Sequence, residues 1–127
     1  MIKVYKNSYT TAQLLAWLVN TDKIILPAPA AGKVNVILGV TSNSTYGTIV
    51  YNNPSFFYGT SPGSSQYNQN YLNARIDQAF NTSGINAGKI NLPMAITEDL
   101  VMSPDATPIN GNGSLDVIII YEEKLPV

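Results

Sequence analysis

Apolar and polar residues alternate along several short stretches of the chain, most clearly at 33–40. Val34, Val36, Leu38 and Val40 occupy every second position of that segment. A period of two is typical of a β-strand with one buried face. Weaker or shorter runs predict further strands at 1–9 (where an extended arm is the alternative), 23–26, 47–51, 56–58, 88–92, 93–96 and 99–102.

The strand predicted at 115–121 differs from the others because its apolar residues are consecutive. Val117, Ile118, Ile119 and Ile120 place apolar side chains on both faces of the strand. We therefore expect this strand to lie at the centre of a sheet or under a neighbouring subunit. The four residues are candidate core or subunit-interface residues.

Two segments have helical spacing. Leu14, Leu15 and Leu18 follow Thr11, a residue type that caps helices, and predict one or two helical turns. Trp17, within this segment, is expected to anchor the core and not to serve as a ligand platform. A second short helix is predicted at 71–80 from the spacing of Leu72, Ile76, Ala79 and Phe80.

Prolines and glycines separate the predicted strands. The segment 27–32, Pro-Ala-Pro-Ala-Ala-Gly, cannot join a ladder because prolines lack the N–H donor. The Asn-Gly-Asn-Gly sequence at 110–113 is typical of a hairpin turn. Many short strands with few helical residues predict an all-β fold, a jelly-roll-like antiparallel β-sandwich with one or two short helical turns, as a single domain over 1–127.

The composition excludes several classes of function. The absence of histidine and cysteine removes the commonest general base, disulfides and thiolate metal sites. Seven basic and eight acidic residues give a net charge of −1, without the basic surface of a nucleic-acid-binding protein. No apolar window reaches the length of a membrane span. We expect no catalytic residues, cofactor or metal, and neither nucleic acid nor membrane as a partner.

Charged residues make up 12% of the chain, about half of the ~25% typical of soluble domains. A surface with so little like-charge repulsion associates readily, which favours an obligate oligomer over a monomer.

The acidic residues show no catalytic arrangement. Glu98 and Asp99 are neighbours, as are Glu122 and Glu123, and neighbours on a strand point to opposite faces. We expect both pairs to be solvated charges at strand edges. A hairpin turn is also favoured over a Ca²⁺ site for the oxygen-bearing side chains of Asp105, Asn110, Asn112 and Asp116.

Tyrosines lie in or beside loops rich in asparagine and glutamine. Aromatic rings stack while amides form hydrogen bonds, so this combination is typical of carbohydrate or protein recognition. Tyr58, Tyr67 and Tyr71 are the candidate ligand contacts in the segment 58–71. The alternative, which we favour, is that most of these rings pack in the core or between subunits.

Three segments together resemble small structural proteins of tailed-bacteriophage virions. They are Thr10-Thr11-Ala12-Gln13-Leu14-Leu15, the segment from Ile25 to Val34 with its Pro-Ala-Pro and Gly-Lys, and the strand from Asn110 through Leu115 to Tyr121. The resemblance covers both ends of the chain, whereas residues 52–100 match only as a general β pattern.

The resemblance implies a compact sandwich, usually a trimer, used in capsid decoration, head fibres or tail-fibre parts. We therefore expect a non-enzymatic virion protein that acts as a homotrimer, contacts other virion proteins and is assembled in the host cytoplasm. The alternative is a carbohydrate- or receptor-binding module of a phage fibre, with a host-surface glycan as its ligand.

Overall fold

Nine strands and one short helix make up the part of the chain that this computed structural model describes. That part covers residues 1–19, 21–45, 47–49, 51, 55–60, 71–77, 84–87 and 93–126, with the backbone alone for 55, 71–77 and 84–87. The elements are β1 (Ile2–Tyr9), α1 (Thr11–Leu15), β2 (Lys23–Leu26), β3 (Val34–Thr45), β4 (Ser55–Thr60), β5 (Tyr71–Asp77), β6 (Gly84–Ala87), β7 (Met94–Ile96), β8 (Leu100–Pro104) and β9 (Ser114–Lys124).

The strands form two antiparallel sheets. The first has the order β1-β9-β3-β6, with β7 pairing beside β6 on β3, and the second has the order β2-β8-β4-β5. Apart from β7, eight strands are divided four and four, and most connections cross from one sheet to the other. This is the topology of a jelly roll, so the predicted all-β antiparallel sandwich is confirmed.

Strand β9 lies between β1 and β3 and pairs with both along nearly its whole length. Val117 and Ile119 are fully buried between the sheets, while Ile118 and Ile120 point to the opposite side and are half-buried. The consecutive apolar residues therefore serve both faces of a central strand, because successive side chains alternate across a sheet.

Trp17 lies at the centre of an aromatic group in the core. Its ring centroid is 5.0 Å from that of Tyr9 and 4.8 Å from that of Phe56, and its indole N–H donates a 2.7 Å hydrogen bond to the carbonyl oxygen of Thr21. A buried indole needs such an acceptor. The ring is fully enclosed, so the prediction of a core anchor is confirmed.

Helix α1 is capped by Thr10 and not, as predicted, by Thr11. The Thr10 hydroxyl accepts from the Gln13 amide at 3.3 Å, and the Gln13 side chain accepts from the Thr10 amide at 2.8 Å, which completes a capping box. Thr11 instead donates to the carbonyl oxygens of Asn112 and Gly113.

Two local predictions are wrong. The backbone of 71–77 is strand β5, paired antiparallel with β4, and not a helix. Residues 48 and 49 form a bend, and 47–49 is not a strand. The strand predicted at 88–92 lies outside the described residues.

The Asn-Gly-Asn-Gly segment also departs from its prediction, because it joins two sheets and does not close a hairpin. Its backbone enters with Asn110 at φ 66°. The Asn112 side chain then accepts from the amides of Thr48 and Ile49 at 2.8 and 2.9 Å, and the Tyr51 hydroxyl donates to the Gly113 carbonyl at 2.6 Å. Side-chain hydrogen bonds thus fasten this end of the sandwich.

Gly111 is required for that packing, because a Cβ atom at this position would overlap the ring of Tyr51. We expect Gly111→Ala to lower the free energy of unfolding by about 1–3 kcal/mol, as for other overpacked sites. Gly39→Ala is the matched control, since its Cβ would lie at an ordinary 3.7 Å from Ile120. Urea unfolding measures both variants, and equal losses would contradict the assignment.

Candidate functional site

The outward side of the first sheet carries a patch of exposed apolar side chains. Val4 and Ile2 on β1 are 65% and 61% exposed, and Leu38, at the bulge in β3, is 39% exposed. Val4 lies directly opposite Ile120, so the two share this side of the sheet. We call this surface the outer face: Ile2, Val4, Val36, Leu38, Ile118 and Ile120.

The charges beside the outer face neutralise one another. Lys6 lies 3.4 Å from Asp116, and Lys124 lies 3.9 Å from Glu122. All four residues belong to β1 or β9. Contiguous apolar surface with a polar border is typical of protein–protein contacts.

Residues 27–33, between β2 and β3, form a segment that we call the connector. It is held by side chains from distant parts of the chain. In its Pro-Ala-Pro-Ala stretch at 27–30 the amide donors are Ala28 and Ala30, and each donates to a carboxylate: Ala28 to Asp99 at 2.7 Å and Ala30 to Glu123 at 2.8 Å. Gly32, at φ 79°, follows in a turn closed by a 3.0 Å bond from the Lys33 amide to the Ala30 carbonyl. Asp99 and Glu123 are therefore structural ligands of the connector and not solvated edge charges.

A cleft of about 130 Å³ lies between the connector and the first sheet. At its buried side Asn35, only 2% exposed, donates from Nδ2 to the Pro27 carbonyl at 3.1 Å. Its Oδ1 atom has no hydrogen-bond partner among the described residues. The cleft is lined by Tyr5, Leu26, Pro27, Ala28, Pro29, Asn35, Tyr121 and Glu123.

The carboxylate of Glu123 is stabilised in its charged form. The hydrogen bond from the Ala30 amide lowers its pKa most, desolvation opposes it with the next largest effect, and the charges of Lys3 and Lys33 lower the pKa again. The Lys3 ammonium lies 3.5 Å from Glu123 Oε1. Glu123 thus links the connector, β9 and β1.

The structure separates the four candidate residues of β9 into two pairs: Val117 and Ile119 belong to the core, and Ile118 and Ile120 to the outer face.

Tyr58 is the one candidate tyrosine whose side chain the structure describes. Tyr58 is fully buried in the core, and burial raises the pKa of its phenol, so its ring cannot stack against a ligand and its selection as a ligand contact is wrong. Tyr67 lies outside the described residues, and only the backbone of Tyr71 is described, at the start of β5. The cleft with Tyr5 and Tyr121 was not predicted. Tyr5 and Tyr121 alternate onto the inward side of two strands that the sequence predicts. No local sequence pattern, however, places either ring beside the connector.

No group of three or more acidic residues in the described part of the chain is placed to hold a metal ion. Asn112 Oδ1 accepts two amides and Asp116 pairs with Lys6, so both side chains are engaged. No helix in the described ranges has the length and apolar character needed to cross a membrane.

A solved structure with a similar fold is a chain in the capsid asymmetric unit of the cyanophage Pam1. The match has a TM-score of 0.52 at 17% sequence identity and covers 99% of this chain and 84% of that chain. The two chains therefore share a fold over most of their lengths. No protein-family model and no curated protein matches the sequence.

The lowered pKa of Glu123 predicts the pH dependence of stability. Its carboxylate stabilises the folded chain above the pKa of an ordinary glutamate, and this contribution is lost as the pH falls through the lower folded-state pKa. We expect Glu123→Gln to reduce the free energy of unfolding at neutral pH and to approach wild type in strong acid, as measured by urea unfolding across pH.

Glu98→Gln is the control, because it removes the same charge from an exposed position that has no bond to the connector. A difference between wild type and Glu123→Gln that stays constant from neutral to acid pH would contradict the role of the charged carboxylate.

Proposed function

We propose that this protein is a non-enzymatic structural component of a tailed-phage virion and that it acts as a homotrimer. The observation that carries the proposal is the fold match, which spans almost the whole chain and most of a chain in a phage capsid asymmetric unit. The three segments that resemble phage virion proteins support the same assignment. Thr11 and the 112–113 segment, from two of these segments, are in contact at one end of the sandwich.

The outer face is the surface that we assign to contact between copies. Copies around a three-fold axis meet through two different patches of the same chain, so the border of each patch must not repel its neighbour. The pairing of Lys6 with Asp116 and of Lys124 with Glu122 meets this condition, since the border presents balanced charge. Burial of Val4, Ile2 and Leu38 in the contact would remove about 25 cal/mol of unfavourable hydration per Å².

Use in capsid decoration, a head fibre or a fibre part follows from the resemblance, and the trimeric state rests on it as well. The alternative of a carbohydrate- or receptor-binding module has lost Tyr58 as a contact.

Light scattering across a dilution series tests the oligomer. We expect a constant mass three times that of the 13.7 kDa chain. Val4→Glu should yield a folded monomer, because a charge on a 65% exposed side chain is tolerated by the isolated sandwich but not inside an apolar contact.

Ile24→Glu is the matched control. Ile24 is an aliphatic residue, 51% exposed, on β2 in the other sheet, and this substitution makes the same change in charge. It should remain a trimer. A monomeric wild type would contradict the oligomer, and a trimeric Val4→Glu variant would show that the outer face is not the contact.

A further inference from the structure

We propose that a second copy of the chain covers a patch of apolar side chains at one end of the sandwich, so that this end of each copy packs against the outer face of the next copy. The patch, which we call the end patch, consists of Leu15, Leu18, Val19 and Ile109. The inference rests on the proposed trimer and deepens it, because it names the second surface that a three-fold arrangement requires.

Two segments of the chain run side by side at this end of the sandwich. Where α1 begins, the Thr11 hydroxyl donates to the carbonyl oxygens of Asn112 and Gly113 at 3.0 and 2.9 Å. At the other end of the first segment, the Val19 amide donates to the Thr107 hydroxyl at 2.8 Å. The segments 11–19 and 107–113 are therefore antiparallel neighbours, and the end patch is formed by both of them.

The first of these segments has more apolar residues than the core uses. Leu14 and Trp17 are fully buried and anchor the segment, whereas the four residues of the end patch are between 40% and 63% exposed. Single exposed apolar residues are ordinary on a protein surface. Four of them on two adjoining segments form a patch of the kind that protein–protein contacts bury.

The charges favour a contact between the end patch and the outer face. The segments 10–19, 47–49 and 106–113, which lie at this end of the sandwich, contain no Asp, Glu, Lys or Arg. The outer face is apolar as well, and the charges on its border are paired with one another. Packing the two surfaces together would therefore bury no unpaired charge, which would otherwise be strongly unfavourable.

The two surfaces are far enough apart for one copy to use both at once. The end patch lies beyond the end of β1 at Tyr9, whereas Val4 is the most exposed residue of the outer face. At the rise of an antiparallel strand these two residues are ~17 Å apart along β1. One copy can thus offer its outer face to one neighbour and its end patch to the other, and such contacts can close into a ring.

Light scattering on two glutamate variants tests the end patch. Leu18→Glu should have the mass of one chain and a wild-type circular dichroism spectrum, because a charge is tolerated on a 63% exposed side chain but not inside an apolar contact. Leu125→Glu is the matched control and should remain a trimer, since Leu125 is 69% exposed and follows β9 at the opposite end of the sandwich.

A trimeric Leu18→Glu variant beside a trimeric wild type would overturn the inference and leave the proposed trimer intact. Loss of the trimer in both variants would overturn the assignment to the end patch. A monomeric wild type would contradict the proposed trimer itself, and this inference with it.

Cross-linking identifies what covers the end patch. Because the chain has no cysteine, a double variant with Val4→Cys and Leu18→Cys carries one thiol on each surface. A short bismaleimide should join the outer face of each copy to the end patch of the next and give a product of three chains on a denaturing gel. Val4→Cys combined with Leu125→Cys is the control and should give single chains.

A trimeric double variant that yields no linked chains would overturn the inference and leave the end patch for another virion protein. Links between chains that carry Leu18→Cys alone would also contradict it, since the end patch would then contact another end patch. A ladder of products longer than three chains would show an open filament in place of the closed ring.

Discussion

The pairing of β9 with β1 on one side and with β3 on the other is the interaction on which the rest of the structure depends. It places Val117 and Ile119 in the core and Ile118 and Ile120 on the outer face. It also positions the hydrogen bonds at both ends of β9. Gly113, just before β9, accepts from Thr11 and Tyr51, and Glu123, near the end of β9, accepts from the connector. A change of register by one residue would exchange the inward and outward faces of β9 and would break the hydrogen bonds at both of its ends.

Periodicity locates several strands but not always their buried face: Val36 and Leu38, from the alternating set at 33–40, lie on the outer face, and Ile37 lies in the core. The alternation at 33–40 and the apolar run at 117–120 locate β3 and β9, the two strands with the longest pairing. The segment 71–77 was missed because Leu72 and Ile76 fit a helical interval, although Leu72, Ala74 and Ile76 also alternate with polar residues. Over so few residues the two periods are not distinguished, and pairing with β4 decides the outcome.

The sites could not be derived from local sequence. Prolines predicted that the connector leaves the ladder, but the carboxylates that hold it are 71 and 93 residues away along the chain. Likewise, Asn-Gly-Asn-Gly is a hairpin signal that is overridden because β8 and β9 belong to different sheets. Tyr58 lies in a strand beside loops of recognition-type composition, yet its alternation with Phe57 places it in the core with Phe56.

The central claim is that the outer face is buried between copies of the chain. The chain has no cysteine, so a nitroxide label on a Ser8→Cys variant is unique. Ser8 is exposed on the same side of the sheet as Val4, opposite Asp116. Double electron–electron resonance should give one narrow distance between subunits, shorter than that from a label on Ala31→Cys at the connector. No dipolar coupling between Ser8→Cys labels, or a longer distance than at Ala31→Cys, would contradict the account.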